Sequence, residues 1–165
     1  MNTPARPAVP TLTVAVQMQR LLRPTQWEEW RHAVTGVLLD EGGFGAAPRV
    51  LRDDGRQQDT LHPGFAVELH RDEGEGYHLN LTSGSPVWFV MWRTDEADPS
   101  RAWPERVTLS YHEAGRLLDA QERVDNLPLP PEVVSWLQAY ADEHYRPEPK
   151  ERRRPASFKN PGERR

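Results

Sequence analysis

The chain of 165 residues has the length of one ordinary domain, enough to bury about two thirds of its unfolded surface, and 36% of its residues are hydrophobic. It contains no cysteine, which excludes disulfides, thiolate zinc sites, cysteine nucleophiles and thiolate-held iron–sulfur clusters. The net charge of −4 is divided, because residues 146–165 carry eight basic and three acidic side chains and residues 1–145 carry 13 basic and 22 acidic ones. An acidic body is therefore followed by a basic tail.

The Pro-rich, polar ends predict disordered segments at 1–10 and 147–165 around a single domain at 11–146. No apolar run of about 18 residues occurs, and the N-terminus lacks the pattern of a signal peptide. A soluble cytoplasmic protein with no membrane partner is expected.

In chain order, Leu12, Val14, Val16 and Met18 alternate with Thr13, Ala15 and Gln17, the pattern of a first strand. Arg23-Pro24 interrupts it. Thr25 with Glu28 predicts a capped helical turn that places Trp27 and Trp30 on one side. These tryptophans either close one end of the sheet or form a recognition platform. A second strand is expected from Ala33 to Leu39. The following DEGGFGAAP, residues 40–48, lacks both the P-loop ending and the GxGxxG spacing, and reads as a hairpin connection. Arg49–Asp53 reads as a short edge strand and Asp54-Gly55 as a turn.

Residues 62–93 carry the clearest pattern. Phe65, Val67 and Leu69 alternate with polar neighbours; after the acidic turn DEGEG, Tyr77, Leu79 and Leu81 do the same. Val87–Trp92 is apolar throughout and predicts a central strand covered on both faces. The three runs together predict an antiparallel meander. A polar loop at 94–105 and a strand at Arg106–Leu109 follow.

Ser110-Tyr111-His112-Glu113 is a capping box, and Ala114, Leu117 and Leu118 give the stripe of a short helix ending near Gln121. The segment from Asn126 leads to a second helix with Pro131 at its first position and Val133, Trp136, Leu137, Tyr140, Ala141 and His144 on its apolar face. The predicted fold is α+β: an antiparallel meander or half-barrel of about six to seven strands, followed by two C-terminal helices packed on the sheet.

Paired as strands, residues 65–69 and 77–81 put Glu68 and His70 beside His78 and Asn80. Two imidazoles and a carboxylate there suit a divalent metal, and a merely solvated strand face would look the same. His62 and His112 are possible additional ligands that the pattern does not place. No GxSxG, HExxH or HxE…PCxxC pattern occurs, so no catalytic residue and no cofactor are assigned. Arg152, Arg153 and Arg154 in the tail suit docking to an acidic surface; nucleic acid is disfavoured as partner by the acidic body.

The segments LHPGFAVELHRDEGEGYHLNL, FVMWR, VTLSYHEAGRLLD, LPLPPEVVSWL and EHYRPEPKERRRPASF together resemble a proteobacterial family of unknown function. Its genes lie beside formate dehydrogenase and molybdenum-cofactor accessory genes, and some members are labelled molybdopterin-guanine dinucleotide biosynthesis proteins. The resemblance implies a cytoplasmic accessory role in producing a molybdenum-dependent formate dehydrogenase and carries over no catalytic residue. The order of elements here lacks the repeated βαβ units of a nucleotidyltransferase. The first expectation is thus a non-catalytic accessory or maturation factor that binds a formate dehydrogenase subunit or a cofactor-insertion protein. The alternative is a metal- or nucleotide-binding enzyme of molybdenum-cofactor handling that uses Glu68, His70 and His78.

Overall fold

The computed structural model describes residues 8–147 as seven antiparallel strands in two sheets, with three helices. In the first sheet β1 (Thr11–Thr25) lies between β2 (Glu28–Leu39) and β4 (Gln57–Glu68), and β3 (Arg49–Asp53) forms the edge beside β4. The second sheet places β5 (Val87–Thr94) between β6 (Ala102–Thr108) and β7 (Arg123–Pro128). A 3-10 turn at Arg71–Glu73 leads into α1 (Gly74–Leu81); α2 (Tyr111–Asp119) and α3 (Pro131–His144) complete the domain. None of these helices is long and apolar enough to cross a membrane.

The α+β order, the antiparallel strands and the two C-terminal helices are as the sequence predicts. The Asp54-Gly55 turn and the edge strand β3 are present as well, with Gly55 in the left-handed region at φ 86°. Strand β5 is central and covered on both faces. Its Trp88, Val90 and Trp92 join the main core, while Phe89 on the opposite face meets Tyr111 of α2 edge-on at 6.3 Å. One core unites both sheets: Val14, Val16 and Met18 of β1 pack with Trp88 and Val90 of β5 and with Val133 and Leu137 of α3.

The meander is not formed. Residues 74–81, expected as its middle strand, are helical, and β4 and β5 lie in different sheets. The buried positions of α1 are Gly74, Gly76, Tyr77 and Asn80, a helical stripe made of small and polar residues that hydrophobic periodicity does not count. Gly76 is required by close approach. A Cβ there would lie 2.1 Å from the Ser110 hydroxyl oxygen and 3.2 Å from the His112 backbone nitrogen, so α1 sits directly against the start of α2.

Other boundaries also move. The Thr25 segment is a hairpin turn between β1 and β2, with Arg23 at φ 47° and Thr25 paired with Glu28, so β2 begins five residues before Ala33. Because β2 and β3 occupy opposite edges, residues 40–48 cross from one edge to the other and do not form a hairpin. Strand β6 starts inside the expected polar loop, and β7, rich in Asp, Asn and Pro, forms where the sequence shows only a lead-in to α3.

Ser110 caps α2 as expected, its hydroxyl accepting from the Glu113 N–H at 3.1 Å. The return arm of the capping box is replaced. Thr108 Oγ1 accepts from the Ser110 N–H at 3.1 Å and donates to Glu113 at 2.7 Å. On the apolar stripe Ala114 is buried, whereas Leu118 is exposed.

Two glycine substitutions test this packing. Gly76→Ala forces the two helices apart and should destabilise by about 2 kcal/mol. Gly115→Ala, where nothing lies within 4 Å of the added methyl, should stabilise by about 0.5 to 1 kcal/mol through helix propensity. Chemical denaturation of both variants measures the contrast.

Candidate functional site

Direct pairing of β1 with β2 and β4 puts Val14, Val16, Met18 and Arg20 on one face of the first sheet. Opposite them stand Leu39, Val37, Val34 and His32 on β2, and Phe65, His62, Thr60 and Gln58 on β4. The face is apolar at the Val14 end and turns polar at Arg20. At the polar end lies a cleft of about 360 Å³, lined among others by Arg20, His32, Gln58, Thr60, His62 and Trp103. The β5–β6 connection lies alongside it, held by Arg20 donating to the Ser100 carbonyl at 3.2 Å and by His32 Nε2 at 2.8 Å from the Pro99 carbonyl. A carbonyl only accepts, so Nε2 of His32 carries the proton in this contact.

Burial lowers the His32 pKa below the ordinary 6.5; the Pro99 bond opposes this and the nearby Arg20 and Arg123 charges add to it. Burial alone lowers His62, whose ring lies 3.0 Å from Thr60 Oγ1. Sequence reasoning mentions His62 without placing it and misses His32. They stand 30 positions apart, and only strand register brings them into one cleft.

The residues singled out from the sequence divide differently. Glu68 and His70 are neighbours, with 3.3 Å between His70 Nε2 and a Glu68 oxygen, and both are half-exposed. They flank a groove of about 490 Å³ at the seam between β4 and β6. His78 lies on α1 beside Tyr145, ring centroids 5.1 Å apart. Asn80 is 1% exposed and uses its amide on backbone: Nδ2 donates to the carbonyls of Val87 and Leu109, both at 2.9 Å, and Oδ1 accepts from the Val87 N–H at 3.0 Å. The four therefore form no common ligand face, because the hairpin that would align them is a helix. Among the described residues no group of three or more His, Asp or Glu is placed to hold a metal ion.

The seam groove instead contains a set of mutually satisfied charges. Burial raises the Glu73 carboxyl, but hydrogen bonds from the Ser110 hydroxyl and Arg116, with the Arg116 charge, bring it below its ordinary value. Glu113 accepts from Arg106 at 3.0 Å as well as from Thr108.

Trp27 occupies the tip of the β1–β2 hairpin and is 86% exposed; Trp30 lies on β2 with the Arg20 guanidinium 4.7 Å above its ring. Beyond Leu21, β1 has no β4 partner, so the tip projects as a two-stranded ribbon. The two tryptophans thus differ: Trp30 is packed and Trp27 is presented. Arg152, Arg153 and Arg154 lie outside the described residues.

A family model described as a protein of unknown function, DUF3305, matches residues 13–154. The chain belongs to this family. No curated protein and no solved structure matches it. The family match runs from Thr13 in β1 past the end of α3, and so includes the cleft, the seam groove and the hairpin tip.

Two measurements separate structure from site here. Asn80→Ala should destabilise by about 3 kcal/mol, because it leaves buried backbone groups of Val87 and Leu109 unpaired. For the histidines, folded values below the unfolded 6.5 mean that the unfolded chain takes up protons first as pH falls. Stability from this source is complete above about pH 7 and is lost as pH drops through 6.5 toward the folded values. The thermal midpoint should therefore fall between about pH 7 and pH 5.5, and His32→Gln with His62→Gln should flatten that fall; an unchanged slope would refute the assignment.

Proposed function

We propose that this protein is a non-catalytic accessory or maturation factor for a molybdenum-dependent formate dehydrogenase, acting by binding protein. The observation that carries the binding mode is Trp27, 86% exposed at the tip of a projecting hairpin. A large aromatic side chain held on a strand ribbon buries much apolar area at little entropic loss when it enters a partner's pocket. The ribbon is stiffened from within, because Arg31 donates to Glu28 at 3.1 Å and Arg20 stacks on Trp30. The basic tail, with Arg152, Arg153 and Arg154, supplies the charge that guides the encounter. The client is supplied by the resemblance to proteins encoded beside formate dehydrogenase genes.

Trp27→Ala should change folding stability by less than about 0.5 kcal/mol. It should weaken binding to purified formate dehydrogenase subunit at least about tenfold, the scale of an interface hot spot. Biolayer interferometry with the full chain measures the affinity, and denaturation of the same variant checks the fold. Normal formate dehydrogenase activity and cofactor content in a strain lacking the protein would overturn the reading.

A further inference from the structure

The cleft at the polar end of the first sheet has a chemistry that the accessory role does not use. Residues 8–147 carry 13 basic and 22 acidic side chains, yet no Asp or Glu is among the residues that line this cleft, and two arginines are. Arg20 makes one hydrogen bond among the described residues, to the Ser100 carbonyl, and has no carboxylate partner there. Most of its N–H groups remain unused among the described residues, while the guanidinium rests on the Trp30 ring 4.7 Å from its centroid. Among the described residues, the Arg101 side chain has only a long contact, 3.7 Å, to Asp95.

Two carboxylates of the flanking loop, Asp95 and Asp98, are hydrogen-bonded within it, and the Asp98 charge is also felt by Arg20 and Arg101. Asp95 accepts from the Ala97 N–H at 2.9 Å, and Asp98 accepts from the Ser100 hydroxyl at 2.6 Å. Around the arginines stand neutral hydrogen-bonding groups: Gln58, Thr60 and the two imidazoles, with Trp103 as an aromatic wall. A volume of about 360 Å³ is at the small end of metabolite-sized pockets.

We propose that this cleft binds a small organic oxyanion, a phosphate or a carboxylate, with Arg20 as the planar two-pronged donor and Arg101 closing over it from the loop. An oxyanion supplies the negative charge that the lining of the cleft lacks, and its planar or tetrahedral oxygens match a guanidinium fork. The less charged remainder of the ligand then meets Gln58, Thr60, His62 and Trp103. Arg20 also stacks on Trp30 of the hairpin, whereas Arg101 belongs to the flanking loop, so Arg101→Gln tests the ligand site without touching the ribbon that carries the protein-binding role.

The test is an NMR titration of the full chain with inorganic phosphate and, separately, with malonate, at low ionic strength. Saturable shifts are expected at the Arg20 side-chain Nε–H and at the His32 and His62 rings, with the tighter of the two probes identifying the oxyanion class. Arg20→Gln should weaken binding at least about tenfold. Arg71→Gln removes an exposed arginine that has no ion pair among the described residues and lies just beyond the end of β4, away from the cleft, and should leave binding unchanged. Should Arg20→Gln fail to fold, Arg101→Gln, at a mostly exposed loop position, carries the same expectation. Absence of saturation with both probes, or equal losses in the Arg71 variant, would overturn the proposal.

Discussion

The side-chain amide of Asn80 is the interaction on which the arrangement of the domain depends. Strand β6 ends at Thr108, opposite Phe89, so Val87 at the start of β5 has no β6 residue to pair with. On the other side its partner is Pro128, which has no N–H to give. Asn80 accepts from the Val87 N–H, donates to its carbonyl, and with its second amide hydrogen holds the Leu109 carbonyl where the chain leaves β6. One buried side chain thus continues the sheet in place of a strand, which explains why a polar residue is tolerated at the centre of α1.

That anchor determines what surrounds it. With Asn80 fixed between β5 and β6, α1 lies close enough to the Ser110 hydroxyl that only glycine fits at position 76. Ser110 in turn caps α2 and donates to Glu73, which also holds Arg116. Tyr77, on the same helix, accepts from the His70 N–H at 2.9 Å and packs edge-on against Tyr140 of α3. Burial raises its hydroxyl pKa, so it remains a neutral phenol. The region that reads as a metal-binding hairpin is therefore a structural hub, and its polar residues are occupied by backbone and by one another.

The chemistry left available lies at the opposite end of the first sheet. Its inner face runs from valines that close the core to Arg20, His32, Thr60 and His62, and the flanking loop is pinned there by the same Arg20 and His32. Asp125 of β7 accepts from the Val34 N–H at 2.9 Å, beside an irregularity in the β1–β2 register, and so ties the second sheet to the strand that carries His32. The cleft is a consequence of joining two sheets over one core: the apolar half of the face is covered, and the polar half is left for a ligand.

The sequence by itself determined the elements whose signals are local. The alternation in β1, the continuous apolar run of β5, the Asp-Gly turn before β4, the serine cap of α2 and Pro131 opening α3 each act through neighbouring residues, and each is found where the pattern places it. Tertiary structure decided what depended on distant partners. Residues 74–81 alternate like a strand but fold as a helix because Gly76, Tyr77 and Asn80 find Ser110, His70 and Val87 to pack and bond against. Strand β7 exists because β5 offers it a ladder, and His32 and His62 line one cleft because antiparallel register sets both on the same face of the sheet around β1. Hydrophobic periodicity records which side of a segment is buried; it does not record a hydrogen bond to a residue far away in the chain, and it is such bonds that set both the hub and the cleft.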